Sequence, residues 1–403
     1  MGRCCIGRSI RAALLFPLAL SFGGNSDPAF DAVSFDKLFA KHGQTHFRWT
    51  SRAFSTGLSY HQRLRARVEI EIAGSEIARR CGKGRLLVLV QFEDSSGAAY
   101  QTHDDLPLNA DKSTVVSRQD AFVKPGDYQI SVALLFTGTG EHATNRQTLH
   151  IDPLSRDPFP EMWQDAPAVE FVPTVDAPEA WYLPDVTSPP AIQLQPRRPI
   201  HVELILNHPV DRPSGGRLVT DQSMRALIPS AKLISQLHPP QVSMNIAMLD
   251  LERRRASFES PDGQLDWPRF RAALAESDPY RIDVKDLLGR HNNVQFLVRE
   301  IRSRIEALSK EACALLILST PMSFGSGVDM TPISRIQSSC RVYYVRFYSL
   351  AEPFTFGLRG PRLLPSDALA STLKPIDPKI FDVNNAEEFR RALAAILEEI
   401  TKI

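Results

Sequence analysis

Residues 200–211 read IHVELILNHPVD: a largely apolar run from Ile200 to Leu206, then the polar stretch Asn207-His208-Pro209-Val210-Asp211. The run reads as a β-strand ended by proline. Downstream the period lengthens. Met224, Leu227, Ile228, Ala231, Ile234 and Leu237 fall on one helical face. Residues 242–251 and 254–259 read as two successive strands, and 267–274 as a short helix after an Asp266 cap. A longer helix over 292–308 gathers Phe296, Leu297, Ile301, Ile305 and Leu308 on one side. Residues 314–318 are wholly apolar, as a strand inside a parallel sheet covered on both faces would be. A short helix over 332–338, a strand over 342–347 and a helix over 386–400 capped by Asn385 complete the pattern. Strands alternating with helices lead us to expect an α/β doubly wound, Rossmann-like sheet over 200–403.

The segment before it has a different rhythm. Residues 64–72, LRARVEIEI, alternate apolar and polar with a period of two, and 86–92, LLVLVQF, suit a central strand. Turns at Asp94-Ser95-Ser96-Gly97, Lys124-Pro125-Gly126-Asp127 and Thr137-Gly138-Thr139-Gly140 separate the strands. We expect an all-β sandwich domain over 30–152, preceded by a short amphipathic helix over 34–42. The Pro-Gly-Asp-Tyr entry at 125–128 resembles the late strands of immunoglobulin-like modules of bacterial exported proteins. Between the two domains, residues 153–199 hold eleven prolines, which fix φ and remove donors. This connector also carries Trp163, Phe171, Trp181 and Tyr182, more aromatic surface than a solvated spacer needs, so we expect it to lie against the domains.

The N-terminus reads as an export signal over residues 1–21. Arg3, Arg8 and Arg11 precede a short apolar core, and Ala19-Leu20-Ser21 places small residues at a cleavage site. That core is too short to span a bilayer, and no later segment is long and apolar enough. Of 403 residues, 43% are apolar, enough for two cored domains. Removing residues 1–21 leaves 44 basic residues facing 46 acidic ones, so no basic field remains to draw nucleic acid or an anionic membrane. Cys81, Cys313 and Cys340 are then an odd set, with one thiol left over.

Over about 200 residues from Pro199 onward, the order of elements resembles a von Willebrand factor A domain. The resemblance rests on Met248-Leu249-Asp250-Leu251, Arg255-Ala256-Ser257-Phe258 and residues 267–274, WPRFRAAL, taken in sequence. It implies a strand, a hairpin and a helix in that order. The family's metal-ion-dependent adhesion site draws on three strand-end loops, and a hard cation there needs oxygen ligands with a carboxylate among them. Here Asn207-His208-Pro209-Val210-Asp211 replaces Asp-x-Ser-x-Ser. Asn292 and Asn293 stand where a threonine is due, and Ser319-Thr320-Pro321 replaces the loop with the third acid. A degenerate metal site is therefore expected, with no metal and no cofactor.

What remains is a candidate strand-end surface made of Asn207, His208, Asp211, Asn293, Ser319 and Thr320. The resemblance implies an exported, non-catalytic binding or scaffold protein with a protein partner. Two alternatives stay open: an enzyme using the strand-end cleft, and a glycan-binding sandwich. The same resemblance makes the strands that follow Cys313 and Cys340 parallel neighbours, within reach of a disulfide, with Cys81 as the free thiol. Other motifs are weaker. His42 and His46 have metal spacing without a third ligand, and residues 79–84 lack the spacing of a phosphate loop. Arg253-Arg254-Arg255 reads as a hairpin turn with a solvated basic face.

Overall fold

The computed structural model describes residues 35–40, 45–82, 84–108, 113–172, 190–192, 196–208, 217–237, 241–277, 284–285, 292–308, 312–322, 333, 340–348 and 367–403. The export signal, Asp211, Trp181, Tyr182, His42 and the helix expected over 332–338 (Ile333 apart) lie outside them. The chain divides into two compact units.

The first unit falls within Met1–Gly57, Leu64–Leu154 and Pro167–Thr174. It begins with a short helix, α1 (Phe35–Ala40). Strands β1 (Trp49–Leu58) and β2 (Leu64–Ile72) follow, then α2 (Gly74–Ala78), β3 (Leu86–Asp94), β4 (Ala99–Leu106), β5 (Val115–Val123), β6 (Gly126–Phe136), β7 (His142–Ile151) and β8 (Val169–Val172). They form two antiparallel four-stranded sheets, ordered β1-β2-β5-β8 and β4-β3-β6-β7. The alternation in β2 is literal. Ala66, Val68, Ile70 and Ile72 are fully buried, while Arg65 and Arg67 turn outward and both bind Asp120 on β5, at 2.7 and 2.8 Å. Phe92 of one sheet meets Phe171 of the other edge to face, with ring centroids 5.5 Å apart. Phe171 belongs to β8, so the sandwich draws a strand from the segment read as a connector. That strand lies at a sheet edge, where proline-rich flanks interrupt no central ladder.

The second unit comprises Leu58–Arg63, Ser155–Ala166 and Val175–Ile403. Its elements are β9 (Ile200–His208), α3 (Arg217–Ser235), β10 (Val242–Asp250), β11 (Arg255–Ser260), α4 (Trp267–Glu276), α5 (Asn293–Leu308), β12 (Cys313–Ser319), β13 (Arg341–Phe347), α6 (Ala368–Leu373), β14 (Lys379–Val383) and α7 (Ala386–Ile400). They build a six-stranded sheet ordered β11-β10-β9-β12-β13-β14. On one face Val202, Leu204 and Leu206 share a core with α3, α4 and α7. On the other, Ile205 packs with Phe296, Leu297, Ile301 and Ile305 of α5 and with Leu369 and Leu373 of α6. The caps read from sequence are formed: Asp266 accepts from Arg269 N and Asn385 from Glu388 N, at 3.2 and 2.9 Å.

The expected α/β doubly wound, Rossmann-like class needs correction. Among the described residues strand accounts for 41% and helix for 27%, two of the three sheets are antiparallel, and the third is mixed. The mixing has a local cause. A turn of only a few residues joins β10 to β11, and a parallel return needs a crossover of a dozen residues or more, so β11 runs antiparallel.

Cys313 and Cys340 form a disulfide at the amino ends of β12 and β13, with Cα atoms 4.6 Å apart. Cys81, expected as the free thiol, is itself disulfide-bonded. The expectation counted only the last three cysteines, an odd set that leaves one over by arithmetic. Among the described residues, no helix is long and apolar enough to cross a membrane.

Candidate functional site

Parallel strands end together, so residues distant in sequence meet at the carboxyl edge of the second unit's sheet. Asn207, next to last in β9, is fully buried. Its Nδ2 donates to Ser319 Oγ at the end of β12, at 2.8 Å, and lies against Met322 Sδ. Ser319 in turn donates to the Thr320 carbonyl at 2.8 Å, and Tyr344 on β13 reaches the same oxygen at 3.3 Å. The remaining acceptor, Asn207 Oδ1, is buried without a hydrogen-bond partner among the described residues. A buried amide oxygen left unpaired is costly, so it marks a place where a donor from elsewhere would be welcome.

Asp367 closes this group. Its carboxylate caps α6 by accepting from Leu369 N and Ala370 N, accepts from Met322 N at 3.3 Å, and pairs with Arg346 at 3.0 Å. Burial, with the negative charge of Asp367 beside it, pushes the Tyr344 hydroxyl well above the ordinary tyrosine value. Tyr344 is therefore a neutral donor here, not a base.

A second group gathers at the end of β10. Asp250 is 1% exposed and accepts from the Arg253 backbone and side chain, at 3.1 and 2.8 Å. Arg254, with φ of 52°, turns back to donate to the Glu252 carbonyl and to Asn293 Oδ1, at 3.1 and 3.3 Å. The basic turn is thus not the solvated face expected: Arg253 and Arg254 fold onto buried acceptors, and Arg255 keeps the exposed position. Isolated acids such as Asp250 are too expensive to bury unpaired, and the turn brings the nearest cations within reach.

The structure therefore joins Asn207, Ser319 and Thr320 directly, while Asn293 belongs to the arginine turn. His208 stands level with Asp250 in the β9–β10 register. Met322, Tyr344, Arg346 and Asp367 were not singled out from sequence. Their one local signal was Asp367 before an apolar helix, an N-cap pattern. Among the described residues, no three His, Cys, Asp or Glu side chains gather to hold a metal ion.

No family model matches the chain, and no curated protein matches it. Among solved structures, the chain is similar to the Northeast Structural Genomics Consortium target SoR45 at 12% identity and a TM-score of 0.16, over 28% of this chain and 97% of that one. It is also similar to a β-glucuronidase of glycoside hydrolase family 2 at 9% identity and a TM-score of 0.18, over 74% of this chain and 30% of that one. At such TM-scores neither likeness carries an argument about fold or activity.

Proposed function

We propose that the protein is an exported binding or scaffold protein, and that the carboxyl edge of its six-stranded sheet contacts a protein partner without doing chemistry there. The observation that carries this reading is the closure of the strand-end polar groups on one another. Asn207 binds Ser319, Asp250 binds Arg253, and Asp367 binds Arg346. None of these pairs couples a nucleophile to a base. Export is supported by the arginine-led apolar N-terminus and by the Cys313–Cys340 bond, which an oxidising compartment preserves. Near-balanced charge favours a protein partner over nucleic acid. Kinship with the von Willebrand factor A domains belongs to the same proposal; it rests on residue order over 248–274, where β10, its hairpin partner β11 and α4 follow in turn.

The test is affinity capture from the native envelope or culture fluid with the full chain and with Thr320→Arg, which places a bulky cation at a half-buried strand-end position. Loss of a captured protein in the folded variant supports the surface. Unchanged capture moves the binding site elsewhere.

A further inference from the structure

The amino edge of the same sheet carries a constellation that no sequence motif announces. His201 on β9 stands level with Ser243 on β10, and Glu203 lies two residues along β9. Alternation along a strand sends His201, Glu203 and Ser243 to one face. Ser243 Oγ lies 2.8 Å from His201 Nδ1. The other ring nitrogen, Nε2, is buried without a hydrogen bond among the described residues and faces Glu203 Oε2 at 3.9 Å. Exposure falls along the row: Ser243 is exposed, the His201 side chain is 14% exposed, and that of Glu203 is 3% exposed.

This gradient is what an activated hydroxyl needs. With Ser243 donating to Nδ1, the ring's own proton sits on Nε2, turned toward the carboxylate. Taking a second proton then creates an imidazolium beside a buried anion. Arg304 of α5 pairs with the other oxygen of Glu203 and also with Glu259, which pins the carboxylate in place. Burial opposes ionisation of Glu203, but the neighbouring His201, Arg304 and Asn245 side chains outweigh it and hold the carboxyl below its ordinary value. Ser243 opens onto a depression of about 630 Å³ that Arg198, Ile200, Gln241 and Ala312 also line. Among the described residues, Arg198 is the charged group on that wall.

We propose that Ser243 is a nucleophile, His201 its general base and Glu203 the positioning residue of an acyl-transfer site that takes a carboxylic ester in this depression. Arrangements of this kind are recognised by geometry and role, on any fold. Ser243 Oγ bonds to the ester carbonyl carbon as its proton passes to His201 Nδ1. Collapse breaks the bond to the alkoxide, which leaves with that proton as the alcohol. Water then repeats the sequence on the acyl-serine, giving the carboxylic acid and restoring Ser243. No oxidant, reductant or metal enters the balance. The proposal goes beyond the binding role, which uses the opposite edge of the sheet, so either stands if the other falls.

The experiment treats the full chain with a fluorophosphonate, whose phosphorus bonds to a nucleophilic serine as fluoride leaves. The expected result is one adduct per chain on the peptide holding Ser243, absent from Ser243→Ala. His201→Gln should slow labelling on the order of 100-fold or more with the melting midpoint retained. Glu203→Gln should move the pH profile of labelling. In the unaltered chain the rate should rise with pH and level off, as a base that must be neutral requires. No adduct at Ser243, an adduct on another residue alone, a flat pH profile, or unchanged labelling of folded His201→Gln would each overturn the proposal.

Discussion

Arg390 on α7 and Asp157 form a two-point ion pair across 233 positions of sequence, Nε to Oδ1 at 2.6 Å and Nη2 to Oδ2 at 2.9 Å. The Arg390 side chain is 4% exposed, and its guanidinium also donates to the Phe159 carbonyl at 2.6 Å. Nearby, Trp163 donates its indole N–H to the Gln62 carbonyl at 2.6 Å. These bonds fasten residues 155–166 within the second unit, in the first third of a segment whose proline content alone would suggest a free spacer.

Arg390→Ala leaves Asp157, whose side chain is 17% exposed, without its cation. Removing one partner of a fully buried pair costs about 3–5 kcal/mol, and the partial exposure of Asp157 places the cost here below that range. We expect a lower urea midpoint for the second unit and new proteolytic cuts between residues 155 and 166. Arg390→Lys should restore little, because a point charge does not reproduce the fork. An unaltered cleavage pattern in Arg390→Ala would show that the segment is held by packing alone.

The bond between Cys313 and Cys340 closes a loop across 27 positions, for which chain entropy gives about 3.5 kcal/mol of stabilisation. Cys313→Ser with Cys340→Ser should lower the denaturant midpoint accordingly. On denatured, unreduced chain, alkylation and peptide mapping should leave Cys313 and Cys340 unmodified until a reductant is added. Labelling of both before reduction would remove the bond from the account.

Acid sensitivity should come from two carboxylates. Burial raises Asp120, but the Arg67 and Arg65 guanidinium groups outweigh it, and the net shift is downward from 3.8. Glu203 is likewise held below 4.5. A depressed folded value gives stability that is complete above the ordinary value and drains away as pH falls through the depressed one. Unfolding free energy should therefore decline below pH 4.5, and more gently in Asp120→Asn and Glu203→Gln. His150 has the opposite sign. Hydrogen bonding to Asp127 raises its imidazole above 6.5, so its contribution is present below 6.5 and lost as pH rises through the raised value. Its exposure leaves that contribution open to screening by salt, which an NMR titration at two ionic strengths would read.

Asn207→Leu separates function from stability. The substitution removes a buried oxygen that has no partner among the described residues and one donor to Ser319, while Ser319 keeps its bond to the Thr320 carbonyl. Stability should change by less than about 1 kcal/mol. Partner capture should nevertheless fall if the strand-end surface acts as proposed. A loss of several kcal/mol would show Asn207 to be a structural residue.

The sequence was most legible where burial is one-sided and local. β2 shows its buried face every second residue, α7 shows a helical stripe behind an asparagine cap, and β12 is apolar throughout. β14 escaped notice because Lys379–Val383 is short, lies at a sheet edge and leaves Lys379, Ile380 and Asp382 exposed. β8 was hidden by its prolines. At the candidate site, the polar residue types could be listed from the loops, but their partners could not. Asn207 and Ser319 are 112 positions apart, and His201 and Ser243 are 42 apart. Only strand register brings such pairs level, and register is set by the core, not by neighbours in the chain.

The disulfide also sets how the chain would yield to tension. Cys313 and Cys340 fasten β12 and β13 at their amino ends and leave the carboxyl edge, with Ser319 and Thr320, unclasped. A pull applied along the chain cannot extend the residues between them while the bond holds. At ~3.3–3.6 Å per extended residue, 27 positions withhold roughly 90 Å of contour length. A chain held at both ends would thus release that slack only in reducing surroundings, which makes its reach under load a function of the redox state around it.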